Sequence, residues 1–347
     1  MRAITIEPGV PNSARLEIVP EPPSGGGEVL VRTLAVGVCG TDLDLVRGEF
    51  GTAPPGETRL ILGHESLGEV VKAPPSSGFV PGQRVVGIVR RPDPVPCPYC
   101  ASGEWDMCRN GQYTEHGIKG LHGFGADYFR MPARFLVPVD EALGTAAVLL
   151  EPTSIVAKAW EHIDRIAART ISRPQRVLVT GAGPIGLLAA LLAAERGYAV
   201  HVLDRVTSGP KPQLAADLGA AYHTGPAREI AEEADIVVEC TGAGEVIADV
   251  LEAHASSGIV CLTGVSSGAR SIPVDLLALN RTLVLENTVI FGTVNANRRH
   301  YDAAAQALAE ADPSWLARLI TREVTPERWA EALERRPDDV KPIIRFA

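Results

Sequence analysis

The sequence predicts an α/β chain of two domains, one β-rich and one a doubly wound parallel sheet. Three observations carry this. At 347 residues the chain is too long for one ordinary core and suggests about two domains. Roughly the first 150 residues hold short apolar runs cut apart by glycine and proline, among them "EVLVRTLAVGV", "LGEVVKA", "QRVVGIVR" and "RFLVPV". From about residue 174 strand-like and helical runs alternate, which implies right-handed crossovers and a parallel sheet buried on both faces.

The elements follow in order. "GTAAVLLEPTSIVAKAWEHI" has helical spacing, with Pro152 expected to break it. "QRVLVTG" predicts a strand, "PIGLLAALLAAERG" a helix stopped by Gly197, and "AVHVLD" a strand. "KPQLAADLGA" predicts a helix, "DIVVECTG" a strand, "EVIADVLEAH" a helix and "GIVCLTG" a strand. After "VLENTVIFGTVNANRRH" come two amphipathic helices, "YDAAAQALAEA" and "TPERWAEALERR", and a closing strand, "PIIRFA". "PEPPSGGGE" and "PPSSG" read as loops. There is no internal repeat and no low-complexity tract.

Composition narrows the function. The net charge of -9, with no long run of one sign, argues against general affinity for nucleic acid or anionic lipid. No apolar run approaches the roughly 20 residues of a membrane span. "MRAITIEPGV" does not read as a signal peptide, so a cytoplasmic protein is expected. In a reducing compartment its six cysteines read as metal ligands before disulfides. Cys240 and Cys261, within strand-like runs, are expected to be core fillers.

"VLVTGAGPIGLL" places glycines at 181, 183 and 186 directly after a strand and at the opening of a helix, the context a dinucleotide site requires. Gly181 permits the tight turn, Gly183 lets backbone approach a pyrophosphate, and Gly186 lets helix and strand pack closely. The helix N-terminus then faces the phosphates. Asp204 ends the next strand, where an acid bonds the ribose hydroxyls and favours NAD. Arg205 beside it would instead meet a 2′-phosphate, so the lean is to NAD with some use of NADP.

Two clusters have metal-ligand chemistry. Cys39 in "VGVCGTDLDL" and His64 in "LGHESLGEV" supply a thiolate and an imidazole, and Glu65 and Glu151 are both candidates for the third ligand of a catalytic zinc. The second cluster, "RRPDPVPCPYCASGEWDMC", gives Cys97-x2-Cys100-x7-Cys108, with Asp93 as the candidate fourth ligand of a structural zinc.

Together these residues resemble the medium-chain zinc-dependent dehydrogenase family over essentially the whole chain. The carriers are "VCGTD" at 38–42, "GHE" at 63–65, the cysteine lobe at 93–108, "EP" at 151–152 and "GAGPIG" at 181–186. "VRRP" at 89–92, "GQYTEHGIKGLHGF" at 111–124 and "GTVNAN" at 292–297 are similar to the glucose (aldose) 1-dehydrogenase branch. The resemblance implies a GroES-like catalytic domain, 1–152 completed by 293–347, around a Rossmann domain at 153–292. It implies a homodimer or homotetramer joined through Rossmann edge strands, with "NTVIFG" as the candidate strand. It implies further cofactor contacts at Pro184, Ile185, Thr241, Thr263, Gly264 and Thr293. The sequence departs from some relatives at Asp93, at Leu43-Asp44, at Val89 and at Asp204-Arg205, which leaves the sugar and the cofactor preference less fixed.

The activity so implied is NAD(P)-dependent oxidation of the C1 hydroxyl of an aldose, such as D-glucose, to the lactone. Cys39 and His64 would hold zinc, with Glu65 and Glu151 sharing the remaining coordination. Thr41 would bond the reacting oxygen and start a proton relay. Glu115, Glu151 and Asn295 would face the substrate, with His122 a weaker candidate, His116 expected in solvent and Asp42 expected to orient the ligand histidine. A zinc alcohol or polyol dehydrogenase acting on a non-anomeric hydroxyl is the alternative, which a panel of substrates separates. A non-catalytic nucleotide-binding protein is the second, which a zinc assay separates.

Overall fold

A computed structural model of the protein describes residues 1–23, 27–266 and 271–347. Residues 24–26, inside the expected loop "PEPPSGGGE", lie outside the described residues. The chain divides into two compact units, Met1–Ser154 with Asn295–Ala347, and Ile155–Val294.

The first unit is β-rich, as the short apolar runs predict. Its principal sheet is built on the strand Val29–Gly37, whose alternating burial puts Val29, Val31, Thr33 and Ala35 inside. Glu65–Lys72 pairs antiparallel along one side of it. On the other side Tyr128–Met131 pairs with its first half and Lys341–Arg345 with its end. The two ends of the chain therefore share one sheet, with Val36 opposite both Ser66 and Ile344. Gly37 faces Glu65, and a Cβ at Gly37 would lie 2.1 Å from Glu65 Oε2, so only glycine leaves room for that carboxylate.

The second unit is a six-stranded, all-parallel sheet. Its order is Ala221–His223, Ala199–Leu203, Arg176–Thr180, Ile236–Glu239, Ile259–Leu262 and Val289–Gly292. That is the doubly wound order 3-2-1-4-5-6, which reverses direction beside the first strand and opens a crevice at the carboxyl ends. Leu178, Val237 and Val260 are fully buried, as strands covered on both faces require.

Three expectations need correction. The helix around Pro152 breaks earlier: Glu141–Leu149 is 3₁₀ with a kink at Gly144, and the α-helix Leu150–Ala167 then starts. Pro152 sits in its first turn, where a missing N–H costs no helical bond. "TPERWAEALERR" makes only the short turns Pro326–Arg328 and Trp329–Ala332, while an unexpected helix, Pro313–Leu319, precedes them. Charged side chains of 325–336 engage each other, as in the Arg328–Glu331 and Arg336–Glu334 pairs, and neighbouring strands, as in Arg2–Glu327 and Arg322–Glu334. Finally, Glu141–Ala167 is long and apolar enough to cross a membrane by length and composition. Of its apolar 18-residue window 78% is buried within the protein, as in a core helix.

Candidate active site

Cys39 caps the short helix Gly40–Val46. Its Sγ accepts from Thr41 N at 3.3 Å, and Asp42 Oδ2 reaches back to Cys39 N at 3.0 Å. This reciprocal cap fixes the thiol where the strand Val29–Gly37 ends. His64 follows Gly63, whose φ of 88° makes the turn. His64 Nε2 lies 3.0 Å from Cys39 Sγ, and its Nδ1 lies 3.4 Å from Asp42 Oδ1, an ion-pair distance. One ring nitrogen thus faces the thiol and the other a supporting carboxylate, the arrangement of a ligand histidine.

Donor atoms of Cys39, His64 and Glu65 lie within 4.8 Å of one another. Burial pulls the His64 imidazole down, but Cys39 and Asp42 outweigh it and hold it well above its ordinary value. A ring raised by an acidic side chain on each side marks a place that favours positive charge. A bound metal would take the place of a proton on that ring. Sulfur, nitrogen and carboxylate oxygen form a donor set that fits zinc.

Glu65 and Glu151 differ in their surroundings. Glu65 is buried, and Lys341 Nζ, itself fully buried, donates to both its oxygens at 2.7 and 2.6 Å and to Val38 O at 3.2 Å. Burial would push the Lys341 ammonium down, but its neighbours, Glu65 first and then Cys39, outweigh it and hold it above its ordinary value. Glu151, in the first turn of the helix Leu150–Ala167, has no such cation bonded to it among the described residues. Burial pushes its carboxyl up to about 7, with Glu65 adding to this and His64 and Lys341 opposing it. Thr41 Oγ1 has no hydrogen-bond partner among the described residues.

Glu115 and Asn295 come together: Asn295 Nδ2 donates to Glu115 Oε1 at 2.6 Å. Asn295 adopts a left-handed φ of 63°, which asparagine tolerates. His116 is not in solvent. Its Nε2 takes a bond from Arg91 at 3.0 Å, its Nδ1 lies 2.6 Å from His122 O, and it stacks on Phe124. Burial and the Arg91 charge push it down to about 3, so it is neutral. His122 is engaged elsewhere, with Nε2 2.9 Å from Glu57 and Nδ1 accepting from Ile61 N at 3.3 Å.

In the cysteine lobe the sulfurs of Cys97, Cys100 and Cys108 lie within 4.8 Å of one another. Backbone amides, that of Arg109 first, bring the Cys97 thiol down to about 6, while burial pushes Cys100 up to about 11. Asp93 lies outside that three-sulfur group. It is buried, its Oδ1 accepts from Val95 N at 2.8 Å, and its Oδ2 has no partner among the described residues. Three thiols with an orphaned buried oxygen beside them fit a tetrahedral metal.

In the parallel-sheet unit Gly181 has a φ of 92°, and a Cβ at Gly186 would sit 1.7 Å from Gly181 O, so helix and strand touch there. Nothing lies within 4 Å of a Cβ at Gly183, which caps the helix Pro184–Glu195 that Ile185 and Gly186 open. Asp204 accepts from Ala182 N at 2.6 Å and from Val206 N at 3.0 Å, so it lies against the glycine turn. Arg205 is exposed. Thr241 and Thr263 both bond Glu239, through its carboxylate and its carbonyl respectively, and Gly264 N donates to that carbonyl at 3.0 Å. Thr293 Oγ1 has no partner among the described residues. Cys261 is fully buried and Cys240 is partly so, its thiol pushed up to about 12 by burial.

The family models "Alcohol dehydrogenase GroES-like domain" and "Glucose dehydrogenase C-terminus" match residues 25–141 and 144–346. The chain belongs to the zinc-dependent medium-chain dehydrogenases, in their glucose dehydrogenase branch. It is 41% identical to a glucose 1-dehydrogenase of Methanocella arvoryzae, covering 100% of this chain and 99% of that one. It is 40% identical to a glucose 1-dehydrogenase of Thermoproteus tenax, with 99% of each covered. A solved structure of Haloferax mediterranei glucose dehydrogenase, in complex with NADP, Zn and gluconolactone, matches with a TM-score of 0.91 at 32% identity. That match covers 100% of this chain and 99% of that one.

Sequence reasoning missed three side chains: Lys341, Glu239 and Arg90. Each is a charge within a strand and is buried. For Glu239 and Lys341 the signal was a charge among apolar strand residues, in "DIVVEC" and "VKPIIRF", because charges are almost never fully buried unless paired; Arg90, in a strand of two arginines, gave no such signal.

Replacing Lys341 by Met leaves the Glu65 carboxylate buried without its cation. In zinc-stripped protein urea unfolding is expected to show a loss of about 3–5 kcal/mol, largely regained in Lys341→Met/Glu65→Leu. An unchanged midpoint would remove the pair from the structural core of the site.

Proposed function

We infer that the protein oxidises the C1 hydroxyl of an aldose, D-glucose foremost, to the lactone with NAD(P). One observation carries the reading: the full-length match to a glucose dehydrogenase whose structure holds NADP, Zn and gluconolactone. The thiol, imidazole and carboxylate of Cys39, His64 and Glu65, gathered within 4.8 Å of one another, support it independently.

Cys39 and His64 would hold the catalytic zinc. Glu151 is the better third ligand, because both oxygens of Glu65 already bond the Lys341 ammonium and a second cation there would be repelled. Glu65 then acts through water or as a fixed charge. When bound, zinc supplies the positive charge that eases proton loss from a hydroxyl at neutral pH, and the nicotinamide supplies the two-electron acceptor. Thr41 Oγ1 accepts the proton-bearing side of the reacting hydroxyl and is the first station of its exit. Asp42 keeps the His64 ring turned with Nε2 toward Cys39. Glu115 and Asn295 hold the other sugar hydroxyls. Cys97, Cys100 and Cys108 would hold a structural zinc, with Asp93 Oδ2 as the fourth donor.

For the cofactor, the Gly181–Gly186 turn and the open backbone at Gly183 receive the pyrophosphate. Asp204 has room to accept more, since a carboxylate offers about four lone-pair sites, two amides use two, and the Lys211 ammonium stands off at 3.9 Å. It would take a ribose hydroxyl and favour NAD, while exposed Arg205 admits NADP.

We further infer a homo-oligomer through the edge strand Val289–Gly292. An open edge invites strand addition. The helix Leu276–Leu285 of the same unit leaves Leu277 75% and Leu285 73% exposed, an apolar patch of the kind that marks an interface. Sedimentation equilibrium is expected to give a dimer or tetramer, and Leu285→Glu a smaller species.

Cys39→Ser is expected to abolish turnover of D-glucose, followed at 340 nm, while cofactor affinity measured by fluorescence stays near wild type. Full turnover in that variant would end the zinc role of Cys39. An aldose and polyol panel that gave turnover on polyols alone would overturn the C1 assignment. Asp204→Ala is expected to shift the ratio of NAD to NADP kcat/KM toward NADP, and an unchanged ratio would remove Asp204 from the ribose.

A further inference from the structure

We propose that Arg90 is a positioning residue for sugar recognition. It turns Glu115 so that a single carboxylate oxygen is left as a charged acceptor for one sugar hydroxyl, and it ties that carboxylate to the cysteine lobe. This rests on the reading of Glu115 as a sugar contact.

Arg90 and Glu115 stand directly opposite each other in an antiparallel pair, and both are buried. Arg90 Nε and Nη2 donate to Glu115 Oε1 at 3.1 and 3.0 Å, and Asn295 Nδ2 donates to the same oxygen at 2.6 Å. Oε1 therefore carries three donors while Oε2 carries none among the described residues. An acidic side chain with one oxygen saturated and the other bare can serve only a donor arriving at the bare one. A hydroxyl is such a donor. The guanidinium is itself fixed. Its plane lies over the Tyr113 ring at 3.7 Å, and Nη1 donates to Asp106 O at 3.1 Å. Asp106 belongs to the turn that leads into Cys108, and Asn297 Nδ2 clamps its Oδ1 at 2.7 Å. The fold of the three-cysteine lobe thereby sets where Arg90 sits, and Arg90 sets where Glu115 points.

Lysine keeps the charge of Arg90 but loses the planar fork that spans Glu115 and Asp106. The test compares wild type, Arg90→Lys and Glu115→Gln as zinc-loaded enzymes on D-glucose and its 2-, 3-, 4- and 6-deoxy analogues, with NADP affinity read separately by fluorescence. Wild type is expected to discriminate strongly against one deoxy position. In Arg90→Lys the KM for glucose should rise about 10- to 100-fold with kcat and NADP affinity little changed, as for loss of one charge-assisted bond. Discrimination at that one position should collapse, Glu115→Gln should show the same pattern, and the double variant should be no worse than Glu115→Gln alone. Wild-type KM and wild-type discrimination in Arg90→Lys would overturn the proposal. So would a KM rise equal for every analogue and matched by lost NADP affinity, which marks a merely structural role. Should Arg90→Lys fail to fold, Glu115→Gln decides: retained discrimination at all positions overturns the proposal. A wild type that oxidises no aldose takes down the functional reading and this inference together, whereas an active wild type with an indifferent Arg90→Lys takes down this inference alone.

Discussion

The site depends on one buried ion pair, Glu65 with Lys341. Cys39, Asp42, Glu65 and Glu151 concentrate acidic groups in one place, and three of them are almost fully withdrawn from water. Desolvated like charges repel strongly, and each isolated carboxylate would rather protonate than stay ionised. The Lys341 ammonium offsets that repulsion from within. It reaches Glu65 only because the strand Lys341–Arg345 adds to Val29–Gly37 as Glu65–Lys72 does from the other side. Closure of that sheet by the end of the chain is thus also the assembly of the site.

This gives the two glutamates unequal surroundings. Both oxygens of Glu65 are bonded to the Lys341 ammonium, whereas burial pushes the Glu151 carboxyl up to about 7. His64 is likewise held well above its ordinary value by Cys39 and Asp42, so both groups sit where neighbouring acidic side chains favour added positive charge.

The parallel-sheet unit is organised by a second unexpected acid, Glu239. It is fully buried at the end of a central strand, and its carboxylate accepts from Thr180 Oγ1 at 3.3 Å, Thr241 N at 2.7 Å and Gly242 N at 3.1 Å. Its carbonyl takes Thr263 N at 2.8 Å and Gly264 N at 3.0 Å. The end of the strand Arg176–Thr180 and the loops after the next two strands are held together by one residue. The hydroxyls of Thr241 and Thr263, which the sequence suggested for the cofactor, are engaged in this internal support.

The sequence by itself determined the periodic features. Alternating strands and helices specified the doubly wound sheet, the spaced glycines specified its phosphate turn, and Cys97-x2-Cys100-x7-Cys108 specified a local sulfur cluster, because each is encoded by spacing within a short stretch. Cys39, Asp42 and His64 were legible as a group through "VCGTD" and "GHE". The tertiary structure alone decided what lies across strands. Lys341 meets Glu65 from 276 positions away, Asn295 meets Glu115 across 180, and Arg90 meets Glu115 by register in a small antiparallel pair. Pairing register and loop closure choose those partners, and no local pattern records them. The amphipathic reading of 325–336 failed for the same reason: Glu327 meets Arg2 and Glu334 meets Arg322, partners from distant strands, and only short turns form there.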